Sequence, residues 1–319
     1  MSQLTTLDHY FTEKREEHLE ELKQFLRIPS ISSLSEHKAD MQKGAEWLAD
    51  SLTKAGLDNV VVDKTSGHPV VYADWLHAEG KPTMLIYGHY DVQPVDPLHL
   101  WDSEPFEPQV RDNKLYARGS SDDKGQVFMH VKAIEALLQT NKSLPVNVKF
   151  LIEGEEEVGS PNLEEYIENN KAKLSADVIV ISDTGMQGPG QPAVCYGLRG
   201  LCGVQIDVKG AKGDLHSGLY GGGVQNSIHA LVSILESFRD AEGTIEVEGF
   251  YDNVRPLADE EREAYASLGF NEDDLLAEVG VVELFGEKGF THLERVWARP
   301  TLEINGVFGG FSGEGIKTV

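Results

Sequence analysis

Long apolar runs are missing from this 319-residue chain. None reaches the roughly 18 residues that a membrane-spanning helix needs. Met1–Tyr10 has no basic segment leading into an apolar one, so neither a membrane anchor nor a secretory leader is expected. Cysteine is scarce as well. Cys195 and Cys202 stand alone, seven residues apart in strand-like sequence, which argues against a disulfide framework and predicts reduced, buried thiols. Positive charge is the third shortage: 28 Lys and Arg face 53 Asp and Glu, for a formal net charge of −25. Such a surface repels nucleic-acid phosphates and anionic lipid, so neither is expected as a partner, and a cytoplasmic protein is. The same carboxylates attract divalent cations. Repeats and low-complexity tracts are absent too.

What is present reads as alternating helix and strand. Leu19, Leu22, Phe25 and Leu26 recur at helical spacing over 13–27, and Pro29 stops them. A second helix fits 40–55, with Ala45, Leu48 and Leu52 on one face and Gly56 as its stop. Strand-like runs follow at Val60–Val62, Val70–Tyr72 and Thr83–Tyr87. A helix at 123–139, a strand at Val146–Ile152, a helix near 161–172 and a strand at Asp177–Ile181 come next. This alternation predicts an α/β domain, a largely parallel sheet with helices on both faces. Gly185–Pro192 is rich in turn residues and reads as a linker. Beyond it, strands at 193–198, 202–208, 244–248 and 300–306, with a helix at 225–239 whose Ile228, Leu231, Ile234 and Leu235 face inward, predict a smaller α+β domain. The expected domains are therefore 1–192 and 193–319.

Four junctions concentrate the chemistry. Tyr87-Gly-His-Tyr-Asp-Val-Gln-Pro94 directly follows an apolar strand. Ala117-Arg-Gly-Ser-Ser-Asp-Asp-Lys-Gly125 opens a helix. Glu153-Gly-Glu-Glu-Glu-Val-Gly-Ser160 and Ser182-Asp183 each follow a strand. Carboxyl ends of parallel strands converge at one sheet edge. Imidazole nitrogen and carboxylate oxygen are the donors that hard and borderline divalent ions take. Taken singly, each junction has a plainer account: a structural His89, an N-cap at Asp122-Asp123, a solvated Glu155–Glu157 loop, a turn at Asp183. Four such junctions together favour a metal site.

In order and spacing these segments resemble the M20 metallopeptidase family, most closely its cytosolic nonspecific dipeptidase and carnosinase-like branch. Gly88-His-Tyr-Asp-Val-Gln-Pro is similar to the family's GHxDVxP, Leu115–Gly125 to LYGRGxxDDKG, and Glu153–Ser160 to EGxEExGS. Tyr196-Gly-Leu-Arg-Gly and Asp214-Leu-His-Ser-Gly-Leu-Tyr-Gly-Gly are similar to motifs of its lid domain. The resemblance implies a zinc-peptidase-like fold with an inserted lid and dimerisation domain, two Zn2+ ions per complete site (Mn2+ or Co2+ as alternatives), and a homodimer formed through the lid.

By that resemblance His89, Asp122 and Asp183 hold the first ion, Asp122 bridges, and Glu157 serves the second. Glu156 is the general base, with Glu155 as its nearest rival. Asp91 supports His89, and His216 reaches the substrate carbonyl in a partner's site. The implied reaction is hydrolysis of the amide bond of a dipeptide or short peptide by metal-activated water. An N-acyl-amino-acid deacylase or desuccinylase on the same scaffold is the alternative enzyme, and an inactive metal-binding or dimerising remnant the alternative without catalysis. Family chains return from the lid to supply a second histidine ligand. This chain is expected to be truncated before that point, leaving Asp122 and Glu157 alone for the second ion and activity low.

Overall fold

The computed structural model describes residues 3–186, 188, 190–311, 313–315 and 317. Within the expected linker, Gln187 and Pro189 lie outside the described residues, as do Thr318 and Val319 at the chain end. The chain divides into two compact units, Met1–Cys195 and Tyr196–Val319.

The first unit opens with α1 (Gln3–Leu26) and α2 (Lys38–Ala55). Helix α1 begins ten residues before the expected start. Gly56 ends α2 in the left-handed region at φ 98°, its N–H donating to Leu52 and Thr53 carbonyls, a conformation that costs glycine nothing. Strands β1 (Asp58–Asp63), β2 (Val70–Trp75) and β3 (Thr83–His89) follow. An unforeseen short hairpin, β4 (Gln109–Arg111) with β5 (Lys114–Tyr116), precedes α3 (Lys124–Asn141). Then come β6 (Asn147–Glu153), α4 (Leu163–Asn169), α5 (Lys171–Leu174) and β7 (Val178–Ile181). The single helix expected near 161–172 is thus two, broken at Asn170.

The five-stranded sheet runs β1-β2-β6-β3-β7. Strands β6, β3 and β7 pair in parallel, and β2 is antiparallel to both β1 and β6. Four strands therefore point one way, which makes the sheet mixed and mostly parallel, as expected. Side chains alternate across it with period two. Val71, Ala73, Ile86, Val148, Phe150 and Ile152 face α1, α2 and α3, packing with Phe25, Leu48, Leu52 and Val131. Val70, Tyr72, Leu85 and Leu151 face the other way, onto Tyr166 and Leu174 of α4 and α5. Central β6 is covered on both faces, hence its near-continuous apolar sequence. From β3 the chain crosses through α3 to β6 on one side, then back through α4 and α5 to β7 on the other. The carboxyl ends of β6, β3 and β7 flank that switch of direction, where open α/β sheets bind ligands.

The second unit contains α6 (Ser217–Tyr220), α7 (Ser227–Glu236), α8 (Asp259–Ser267), α9 (Glu272–Val279) and α10 (His292–Trp297). Its expected strands do not form among the described residues. Segments 193–208, 244–248 and 300–306 carry no strand ladder, and only the isolated bridge Arg239↔Ile245 touches them. A strand needs a neighbouring backbone as well as β-branched composition, and here Leu201 is 99% exposed. The same openness corrects two further expectations. Cys195 and Cys202 are exposed, not buried, and in α7 Ile228 and Ile234 are exposed while Leu231 and Leu235 are only half-buried.

Candidate metal centre

His89 ends β3, fully buried, with its N–H accepted by the Asp123 carboxylate at 3.1 Å. That approach requires the bare backbone of Gly88: a Cβ there would stand 2.6 Å from Asp123 Oδ2 and 2.6 Å from Val127 Cγ2. Asp122, preceding α3, brings Oδ1 to 3.2 Å from His89 Nε2, and Asp183, just past β7, brings Oδ2 to 3.5 Å. The ligand-capable atoms of these three all lie within 4.8 Å of one another. Among the described residues His89 Nε2 has no hydrogen-bond partner, although it is buried. The cluster is closed behind the imidazole and open in front, with the Asp122 side chain 63% and that of Asp183 31% exposed.

The other ring nitrogen is held. Nδ1 of His89 lies 3.1 Å from the Asp91 carbonyl and 3.3 Å from Asp91 Oδ1. Asp91, fully buried, also accepts the backbone N–H groups of Glu156, at 3.3 Å on Oδ1, and Glu157, at 3.1 Å on Oδ2. The turn Glu156–Val158 is thereby pinned beside the imidazole, and Gly159 leaves it at φ 84°.

The three glutamates part ways. Glu155 is buried and accepts from Asn162 Nδ2 on both oxygens, at 3.1 and 2.9 Å. Glu157 Oε2 accepts from Gln93 Nε2 at 2.6 Å, and Glu157 is outside the three-residue cluster. Glu156 is half-buried and held at the turn by its backbone.

Electrostatics mark the spot as short of positive charge. Burial pulls the His89 pKa down, but the Asp91 hydrogen bond and the charges of Asp91, Asp123 and Asp183 prevail and push it up to about 10. Burial pushes the Asp123 carboxyl up to about 7; the bond from His89 N–H and the His89 charge oppose this, and Asp183 and Asp122 add to it. Glu156 is raised by burial, with Glu157, Asp183 and Asp91 adding and His89 opposing. An unpartnered buried imidazole nitrogen facing two carboxylates suits a divalent ion.

His216 sits in the second unit, exposed. Its Nδ1 accepts the Gly218 N–H at 3.0 Å, capping α6.

Three residues that the sequence did not single out make contacts in or beside the cluster. Asp123 holds the His89 backbone, Gln93 holds Glu157, and His130 Nε2 lies 2.7 Å from Ser182 Oγ. Only the doubled Asp122-Asp123 hinted at the first. Lys124, fully buried, donates to the carbonyls of Phe25 at 3.2 Å and Ile28 at 2.7 Å, tying the start of α3 to the end of α1. Two clefts, of about 400 and 430 Å3, lie elsewhere, one lined by Trp101, Arg111 and Tyr116, the other by Asp63, Asn162 and Lys173.

Residues 85–289 match the model of peptidase family M20/M25/M40. The Cys-Gly metallodipeptidase of Candida albicans is 34% identical over 317 residues, covering 94% of this chain and 65% of the relative. Human carnosine dipeptidase 1 superposes with a TM-score of 0.78 at 30% identity, over 100% of this chain and 70% of that one. An M20 family metallo-carboxypeptidase from Sulfolobus solfataricus gives 0.75 at 38%, over 95% and 68%. The chain thus spans about two thirds of the length of the proteins it matches.

Proposed function

Because the chain belongs to peptidase family M20/M25/M40, we propose that it provides the metal-binding half of a metallodipeptidase site. The observation that carries this reading is the orphaned, buried Nε2 of His89, faced by Asp122 and Asp183 at 3.2 and 3.5 Å. These three residues hold the first ion, taken to be Zn2+ with Mn2+ or Co2+ as substitutes. Asp122 and Glu157 are what this chain offers a second. A bound ion supplies Lewis acidity to the scissile carbonyl and acidifies water towards neutral pH.

The remaining steps belong to the protein. Glu156 removes a proton from the attacking water and delivers it to the leaving amine as the C–N bond breaks, giving a carboxylate and an amine. Its burial-raised pKa suits a group that must take and return a proton. Asp91 orients His89 and the Glu156–Glu157 backbone together. Glu155, engaged by Asn162, is left out of the proton transfer. His216 donates to the developing oxyanion in the site of a second copy, within a homodimer formed through the second unit. Residues 1–192 and 193–319 serve as catalytic and lid domains, and the acidity of the chain favours a cytoplasmic setting. Free dipeptides are the proposed substrates, in line with the dipeptidases that the chain resembles.

A panel of free dipeptides, N-acetyl and N-succinyl amino acids, assayed with Zn2+, Mn2+ and Co2+, tests this. Slow cleavage of dipeptides, abolished by chelator and by Glu156→Gln, is expected. Preferential cleavage of the acylated amino acids, or turnover indifferent to chelator, would refute it.

A further inference from the structure

Of the three clustered residues, Asp183 has the weakest local support. His89 is the last residue of an interior strand, and Asp122 stands two residues before α3. Among the described residues β7 is paired only with β3, and that pairing ends at Ile181 opposite Tyr87. Val178, Ile179 and Ile181 are each more than half exposed. Asp183 stands two residues past the last pair. The turn bond there, Thr184 N–H to the Ser182 carbonyl at 2.7 Å, is local and does not fix where the turn lies relative to His89.

The long-range tie at this junction comes from α3, where His130 Nε2 meets Ser182 Oγ at 2.7 Å across 52 residues of sequence. His130 lies eight residues after Asp122, about two helical turns along. One helix therefore follows directly on the segment that carries one carboxylate, and further along it grips the segment bearing the other.

We propose that His130 is a positioning residue of the metal site, whose contact with Ser182 holds Asp183 Oδ2 towards His89 Nε2. This rests on the reading of His89, Asp122 and Asp183 as ligands. A packing role for His130 would affect folding alone. A positioning role affects cation affinity in a protein that folds equally well without metal, and outer contacts of this kind are worth roughly 10–100-fold in affinity.

Zn2+ alone is the probe, with dissociation constants measured on the full 319-residue chain by competition with a chromophoric chelator. The variants are Ser182→Ala, His130→Ala, the double variant and His130→Gln. Ser182→Ala removes a single oxygen, so it keeps the test open should His130→Ala fold poorly. Each alanine variant is expected to weaken Zn2+ binding about tenfold. The double variant should be no worse than either single one, because both remove the same contact. His130→Gln, whose amide reaches a similar position, should recover most of the affinity, with the metal-free melting temperature of Ser182→Ala unchanged. Wild-type affinity in Ser182→Ala, losses that multiply in the double variant, or losses that merely follow the metal-free melting temperature would overturn the proposal. Failure of the wild-type chain to bind Zn2+ would overturn the ligand reading beneath it as well.

Discussion

The carboxylate of Asp91 accepts the backbone N–H of Glu157 at 3.1 Å while its other oxygen stands 3.3 Å from Nδ1 of His89. One buried acid thus fixes both a metal-facing ring and the turn that carries the two glutamates. In Asp91→Asn one of the accepting oxygens becomes an N–H donor, so a backbone N–H loses its partner and the ring loses the negative charge beside it. Zinc affinity should fall roughly 10–100-fold, and stability by about 1–3 kcal/mol. Zinc titration together with urea unfolding checks both. A variant that lost stability and kept full affinity would confine Asp91 to a structural role.

The strands and helices of the first unit were legible because β3 and β6 lie between helices, and strands covered on both faces read as unbroken apolar runs; β7 reads as such a run too, although it is mostly exposed. His89, Asp122 and Asp183 were legible because each stands where such an element ends or begins. Asp123, Gln93 and His130 were not. Their roles come from partners 34, 64 and 52 residues away, and no local pattern encodes such distances. The strands expected in the second unit failed for a related reason. Composition at Val194, Leu198 and Val204 shows a liking for a pleated, half-buried surface, yet each is more than 80% exposed with no ladder beside it.

Gly88 is where packing and site meet. Alanine there would place its Cβ 2.6 Å from both Asp123 Oδ2 and Val127 Cγ2. Asp123 would have to retreat from the His89 N–H, and the start of α3, with Asp122, would move too. A cost of about 1–3 kcal/mol is expected from overpacking, with weaker zinc binding alongside. Gly185→Ala, whose Cβ would meet no atom of the described residues within 4 Å apart from its chain neighbours, is the control and should be silent. Equal melting temperatures for the two variants would contradict the steric argument.

Acid stability should depend on Glu135. Its carboxylate accepts from Tyr10 at 2.6 Å and Lys132 at 2.7 Å and lies 3.3 Å from His18, joining α1 to α3. Burial raises its pKa, but the Lys132 and Tyr10 hydrogen bonds and the charges of Lys132 and His18 outweigh this, and the folded value falls below the usual glutamate range. The unfolded chain then binds the proton more readily than the folded one, so the stabilisation is complete above the ordinary value near 4.5 and drains away as pH falls through the folded value. Glu135→Gln should cost about 1–3 kcal/mol at neutral pH and flatten the acid limb of the stability curve. Urea midpoints measured from pH 7 to pH 3 decide it, and parallel curves for wild type and variant would rule it out.

A cation held by His89, Asp122 and Asp183 would join the end of β3, the start of α3 and the segment after β7, three parts of the chain that meet only in the folded state. It therefore binds the native form in preference to the unfolded one. At a free concentration of 100 times its dissociation constant, Zn2+ should add about 2.7 kcal/mol. For a unit of this size that is a rise in melting temperature of roughly 5–10 °C. His89→Ala removes the sole nitrogen donor of the cluster and should abolish the rise. Glu156→Gln leaves all three donors in place and should preserve it, even as hydrolysis is lost, which separates holding the ion from moving the proton. Melting curves of the three proteins, with Zn2+ and after chelation, provide the comparison, and a full zinc-dependent rise surviving in His89→Ala would place the ion somewhere other than at the end of β3.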